Sequence, residues 1–189
     1  MTKNNKVYFD NTERLGFNPL SDEDIEQKYY ENFYDPSLNY YTRHSKTPPD
    51  KKNSLRLLGE CDNAFRFSVT KLDTGRKIGV CSLQDIDFLN RNGHLARFLW
   101  DKDIIGMGLG TEVLKFLTKF AFDKINLNKV IVSNVSSNLA AEKSCLKLGF
   151  TLEGKLRKEF YANGMYYDVN YFGMLSGEYY SKNLNSKLK

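Results

Sequence analysis

Gly106-Met107-Gly108-Leu109-Gly110-Thr111-Glu112 joins an apolar, strand-like run at residues 95–100 to a helix-like run at residues 109–124. In the second run Leu109, Val113, Phe116, Leu117, Phe120 and Ala121 recur at helical spacing and make one apolar face. Glycines at a strand-to-helix junction let the backbone approach a ligand closely. The first helical N–H groups have no intrahelical acceptor, and the positive end of the helix dipole lies behind them. Such a turn can cradle an anion of the pyrophosphate type. On its own it is equally consistent with a plain tight turn, so the surrounding sequence has to decide.

Upstream, Phe65, Phe67 and Val69 alternate with Arg66, Ser68 and Thr70, which predicts a half-buried strand. Asp73-Thr74-Gly75-Arg76 reads as a turn, residues 78–88 as a second strand and Asn90-Arg91-Asn92-Gly93 as a second turn. Residues 94–100 form the strand that feeds the glycines. Downstream, residues 129–134 read as a short buried strand, and residues 138–148 as a helix stopped by Gly149. Residues 150–161 and 166–175 read as a closing hairpin around Asn163-Gly164, a dipeptide that favours a primed turn. Near the start, Ser21 predicts a helix, with Asp24 at the capping-box position and Ile25, Tyr29 and Phe33 at helical spacing. Asp35-Pro36 ends it, and a loop containing Pro48-Pro49 runs to about residue 53. The order is helix, antiparallel strands, helix, strand, helix, hairpin. It predicts an α+β or mixed α/β sandwich in which helices cover a largely antiparallel sheet.

The 189 residues suit one domain, and 41% hydrophobic with 27% charged residues is ordinary for a soluble globular chain. Twelve Tyr and thirteen Phe predict an aromatic core and an aromatic-lined pocket. A net charge of +5 suits an anionic ligand but is too dispersed to argue for nucleic acid. The basic end of the chain, with Lys182, Lys187 and Lys189, reads as a frayed tail over residues 180–189. Cys61, Cys81 and Cys145 are odd in number and lack a CxxC pair, so neither a disulfide framework nor a zinc site is expected. A reducing, cytoplasmic setting fits. His44 and His94 have no metal-ligand spacing, and no metal is expected. Residues 1–10 are polar, and no stretch approaches the roughly 18 apolar residues of a membrane span.

Four segments, in order and at natural spacing, resemble the GNAT superfamily of acetyl-CoA-dependent N-acetyltransferases. The branch is that of ribosomal-protein-alanine, spermidine and amino-sugar acetyltransferases. Asp85-Ile86-Asp87-Phe88-Leu89-Asn90-Arg91-Asn92 is similar to its strand-and-turn signature, and residues 106–112 to its acetyl-CoA loop. Asn138-Leu139-Ala140-Ala141 through Lys147-Leu148-Gly149-Phe150 is similar to its second cofactor helix. Glu153-Gly154 through Asn163-Gly164-Met165-Tyr166-Tyr167-Asp168 is similar to its closing hairpin. The resemblance covers roughly residues 65–175, leaving residues 1–60 as a variable, substrate-side region.

The resemblance implies acetyl-CoA as co-substrate. Ile105, Gly106, Met107, Gly108, Leu109, Gly110 and Thr111 would then hold its pyrophosphate through backbone N–H groups. The pantetheine arm would lie along Phe98-Leu99-Trp100 like an added strand, with Asn138 bonding it from the other side. Asn138 reads equally as a helix N-cap. A backbone N–H near Leu99 would stabilise the oxyanion when an amine attacks the thioester. Three positions depart from the family pattern. Ile105 stands where a Gln or Arg is frequent. His94 stands where the branch often carries a Glu base; histidine titrates near neutral pH and can do that work, or be an ordinary strand residue. Cys145 stands where many members carry a Tyr that protonates the leaving thiolate. Ser144, Tyr166 or water are its alternatives there, and plain core packing is the other reading of a free cysteine.

The implied acceptor is a primary amine, on a small molecule such as a polyamine or amino sugar, or at a protein N-terminus. The Asp85–Asn92 signature leans slightly toward an amino sugar. Asp22, Glu23, Asp24 and Glu26 with Tyr29, Tyr30, Phe33, Tyr34, Tyr40 and Tyr41 could hold a cationic amine. They also read as a helix N-terminus with core and rim aromatics. A homodimer is compatible with the sequence, and neither membrane nor nucleic-acid partners are expected. The alternative function is a catalytically silent acyl-CoA-binding or interaction module on the same fold.

Overall fold

Aromatic and β-branched side chains fit a pleated sheet, and in the central strands β3 and β4 they sit in continuous buried runs that include Ser68, Thr70 and Ser82. The computed structural model describes residues 7–21, 24, 35, 41 and 63–187. Among these residues eight strands form one sheet: β1 (Asp10–Asn11), β2 (Leu15–Pro19), β3 (Phe65–Lys71), β4 (Arg76–Asp87), β5 (Asn92–Leu99), β6 (Lys129–Val135), β7 (Thr151–Ala162) and β8 (Met165–Leu175). Their spatial order is β1-β2-β3-β4-β5-β6-β8-β7. Neighbours are antiparallel except β5 and β6, which run parallel. Helix α1 (Leu109–Lys119) makes the crossover between those two, widening into a π-helical stretch at Phe120–Lys124. Helix α2 (Leu139–Leu148) follows β6, and α3 (Ser176–Lys187) follows β8. This is the mixed, mostly antiparallel sheet with flanking helices that the sequence predicts. Among the described residues no helix is long and apolar enough to cross a membrane.

The apolar face of α1 packs on β2 and β3 through aromatic rings. Phe116 stacks on Phe17 with centroids 3.7 Å apart and meets Phe67 edge-on at 5.2 Å, while Phe120 meets Phe65 and Phe67. Each such pair adds about 0.5–1.5 kcal/mol beyond its burial. The expected aromatic core is therefore present, and it fixes the tilt of α1 over the sheet.

Turn chemistry behaves as read. Gly75 adopts φ +66°, and Asn163 and Gly164 adopt φ +47° and +79°, the two positive values a primed hairpin turn requires. Gly149 closes α2 at φ +89°, its N–H and that of Phe150 both reaching the Cys145 carbonyl. The Asp85–Asn92 signature does scaffold work. Asp87 accepts from the Asn90 backbone and side chain, and Arg91 donates to Asn126 beyond the π turn. The segment thereby ties the β4–β5 turn to the start of β6.

Two readings change. β1 and β2 were not expected, because Gly16 and Pro19 depress strand propensity; pairing of β2 with β3 overrides it. The basic end is helical through Lys187 rather than frayed. Tyr179 packs on Phe122 at 5.0 Å, the Tyr180 hydroxyl donates to the Phe122 carbonyl, and Lys182 donates to the Leu148 carbonyl. Asp24 does accept from the Ser21 N–H and hydroxyl at 3.0 Å and pairs with Lys77, a structural use of that acid. The rest of that predicted helix, the Pro48-Pro49 loop, Cys61, His44 and most of the acidic and aromatic cluster lie outside the described residues.

Candidate active site

Two strands that run parallel and then part make the site. β5 and β6 are paired only from Asn92↔Lys129 to His94↔Ile131. Beyond that rung β5 stays with β4, and β6 stays with β8 as far as Val135↔Val169. Antiparallel pairing bonds alternate residues to the neighbour, and the Trp100 N–H donates to the Ile78 carbonyl at 3.0 Å. In the same register Phe98 and Ala96 face β4, so the backbone N–H groups of Arg97 and Leu99 face the gap that β6 has left. An unpaired strand edge of this kind accepts an extended, amide-bearing chain.

The glycine turn stands over one end of this gap. Met107 N–H closes on the Ile104 carbonyl, and Gly106 and Gly108 adopt φ +83° and +76°. A Cβ on either would meet nothing within 4 Å, so the outer surface of the turn is open. Gly108 is the N-cap of α1 and no side chain caps it. Thr111 and Glu112 donate to the Gly108 carbonyl, which leaves the Leu109 and Gly110 amides without an intrahelical acceptor. Thr111 also donates to the Ser144 hydroxyl at 3.0 Å, and Ser144 donates to the Ala140 carbonyl. The first turns of α1 and α2 are thus joined, and the Ser144 proton is engaged.

A clamp from the turn between β1 and β2 holds the glycine turn. Glu112 accepts from the Thr12 hydroxyl at 2.5 Å, the Arg14 N–H at 3.0 Å and the Arg14 guanidinium at 2.6–2.7 Å. The same guanidinium donates to the Met107 carbonyl at 3.0 Å. Burial raises the Glu112 carboxyl, but Thr12 and Arg14 outweigh it and hold it below the usual carboxylate range.

The sequence profile of the acetyltransferase (GNAT) domain family matches residues 14–151. The chain belongs to the GNAT acetyltransferase family. It is 30% identical over 105 residues to the putative ribosomal N-acetyltransferase YdaF of Bacillus subtilis, a match covering 56% of this chain and 57% of that one. It is 31% identical over 105 residues to the spermidine N(1)-acetyltransferase of Escherichia coli, covering 56% and 55%. The chain thus spans a little over half the length of these curated relatives. The structure of spermidine N-acetyltransferase from Vibrio cholerae, in complex with CoA and spermine, superposes with a TM-score of 0.77 at 21% identity, over 89% of this chain and 99% of that one. That likeness establishes the GNAT fold.

Within this GNAT frame the expected site residues separate into groups. Phe98, Leu99 and Trp100 line the parting strand, and residues 105–111 form the open turn, with Ile105 74% exposed and Met107 also exposed. Asn138 caps α2 by accepting from the Ala141 N–H at 3.1 Å, leaving its amide donors for other partners. His94 occupies the last paired rung, on the sheet face opposite Leu95 and α1. Cys145 is fully covered; burial pushes its thiol up, although Asn134 donates to its sulfur at 3.4 Å. Tyr166 lies at the exposed end of the hairpin, beside Tyr161 and beyond the last β6–β8 rung. The glycine turn follows β5 and is joined to α2, whose N-cap is Asn138, by the Thr111–Ser144 bond, while Tyr166 lies on β8 beyond the last β6–β8 rung. Arg97 was not foreseen, though a charge between the inward Leu95 and Leu99 is a readable signal. The Arg14–Glu112 clamp has no such signal, because its partners are 98 residues apart.

Glu112→Gln should lower stability by about 1–2 kcal/mol at pH 7, since charge-assisted bonds are lost. A carboxylate with a depressed folded pKa stabilises above its unfolded value, and that stability is lost as pH falls through the folded value. The difference between wild type and variant in urea denaturation should therefore be largest near neutral pH and close toward pH 3. A constant difference across that range would remove the charged form of Glu112 from the account.

Proposed function

We propose that this chain is an acetyl-CoA-dependent N-acetyltransferase that moves the acetyl group to a primary amine by direct attack on the thioester. The carrying observation is the unpaired β5 edge at Arg97–Leu99 beside an uncapped helix N-terminus. One accepts an amide-bearing arm and the other an anion, and acetyl-CoA contains both. Leu109, Gly110 and their neighbours hold the pyrophosphate, while Phe98–Trp100 and Asn138 align the pantetheine. The Leu99 N–H meets the thioester oxygen as negative charge develops on it, usually the largest electrostatic contribution to such a step. His94 takes the proton that the amine loses. Cys145 is covered and its thiol is raised, so it serves as packing, and water protonates the departing thiolate. Tyr166, at the hairpin tip, is an outer contact rather than the acid.

The acceptor is a small cationic amine of the polyamine type. The relatives named above include spermidine acetyltransferases, and the Asp85–Asn92 turn, engaged in scaffold bonds, no longer favours a sugar. The N-terminal region reaches the rim of the site at two described points. Asp35 pairs with Lys102 at 2.8 Å, and the Tyr41 hydroxyl donates to the Ser137 carbonyl at 3.2 Å. Two buried free thiols, Cys81 and Cys145, fit a reducing cytoplasmic setting.

Release of CoA thiol from acetyl-CoA should be amine-dependent across a panel of polyamines, amino sugars and peptides. Gly108→Val should abolish most of it, because φ +76° disfavours a β-branched residue and its side chain would occupy the phosphate surface. Tight acetyl-CoA binding without turnover of any amine would instead mark a silent acyl-CoA module.

His94→Ala should lower kcat on the order of 10²-fold with a smaller change in KM. The rate of the wild type should rise with pH through a limb missing from the variant. An identical pH profile in the variant would return His94 to a structural role.

A further inference from the structure

Arg97 is a charge that the site as described does not use. It stands opposite Cys81 on β5, half-buried on the sheet face that α1 covers. A Cβ placed on Gly110, in the first turn of α1, would lie 3.5 Å from its Nε. The side chain therefore runs beneath the glycine turn. Its electrostatic neighbours are the thiols of Cys145 and Cys81, and among the described residues it makes no ion pair with a carboxylate. Burial pushes the guanidinium down from its ordinary value, yet a guanidinium does not lose its proton in a protein.

A half-buried guanidinium with no carboxylate beside it among the described residues is incompletely compensated by water, and an anionic ligand placed there would supply the missing charge. Three basic groups on elements next to the turn are already engaged. Arg14 is held by Glu112, Lys102 by Asp35 and Arg76 by Asp101. Ile105 and Met107, the exposed side chains at the start of the turn, are apolar. The α1 amides and the Arg97 guanidinium, reaching the same turn from two different elements, each call for negative charge.

We propose that Arg97 binds the pyrophosphate of acetyl-CoA from beneath the glycine turn, completing with its guanidinium the anion site that the α1 amides begin. This rests on the acetyl-CoA reading above. The planar fork of an arginine matches paired phosphate oxygens, which a single backbone amide cannot do.

The test compares wild type with Arg97→Met, which keeps the bulk and removes the charge. Dissociation constants are measured for CoA and for pantetheine, which lacks the pyrophosphate and nucleotide, and thermal midpoints are measured without ligand. CoA binding should weaken about 10- to 100-fold, the range of a charge-assisted hydrogen bond. Pantetheine binding should not change, and the unliganded variant should melt higher than wild type because an unpaired charge has gone. Unchanged CoA affinity would overturn the assignment, as would an equal loss for pantetheine, which would place Arg97 at the thioester. A lower midpoint with unchanged CoA affinity would make Arg97 purely structural. Wild type that fails to bind CoA would overturn the acetyl-CoA reading itself.

Discussion

The parting of β5 from β6 after the His94↔Ile131 rung is the constraint on which the rest of the site depends. A parallel pair needs a crossover, and α1 is that crossover, so the helix N-terminus is delivered to the place where pairing stops. Because β5 remains bonded to β4, the amides of Arg97 and Leu99 are aimed into the gap rather than lost to a neighbour. Had β6 followed β5 for three more residues, the sheet would be more regular and the site would be closed.

The surrounding structure holds that opening against collapse. Phe116 and Phe120 seat α1 on β2 and β3, the Thr111–Ser144 bond sets α2 beside it, and Arg14 ties the glycine turn to Glu112. The aromatic and Arg14 contacts come from the β1–β3 side of β4, which explains why the N-terminal β1–β2 pair matters to a turn about a hundred residues later. Function sits on a rigid frame, and within the turn Gly106 and Gly108 take the positive φ that its backbone demands.

Features encoded locally were legible in the sequence. The α1 face, the Asn163-Gly164 turn and the Gly149 cap each depend on neighbours within a few positions and formed as read, whereas β3 formed as a strand but not a half-buried one, since Ser68 and Thr70 are buried beside Phe67 and Val69 and Phe65 is exposed. Features encoded by distant pairing were not. β2 contains Gly16 and Pro19 and becomes a strand only because β3 offers it a partner, while α3 folds because Tyr179 and Tyr180 find Phe122. At the site, the glycine turn and Asn138 were visible as motifs. The Arg14 clamp was not, since nothing near Arg14 hints at Glu112. Arg97 was readable as a charge in an apolar alternation, but its position beneath Gly110 required the fold.

Amide hydrogen exchange, followed residue by residue with and without CoA, tests the central claim most directly. The account predicts new protection at Leu99 on the open β5 edge and at Leu109 and Gly110 at the start of α1, with little change in β3 or in the Asn163-Gly164 hairpin. Protection that leaves Leu99 and the α1 amides exchanging as in the free protein would show that the gap between β5 and β6 is not where the cofactor lies.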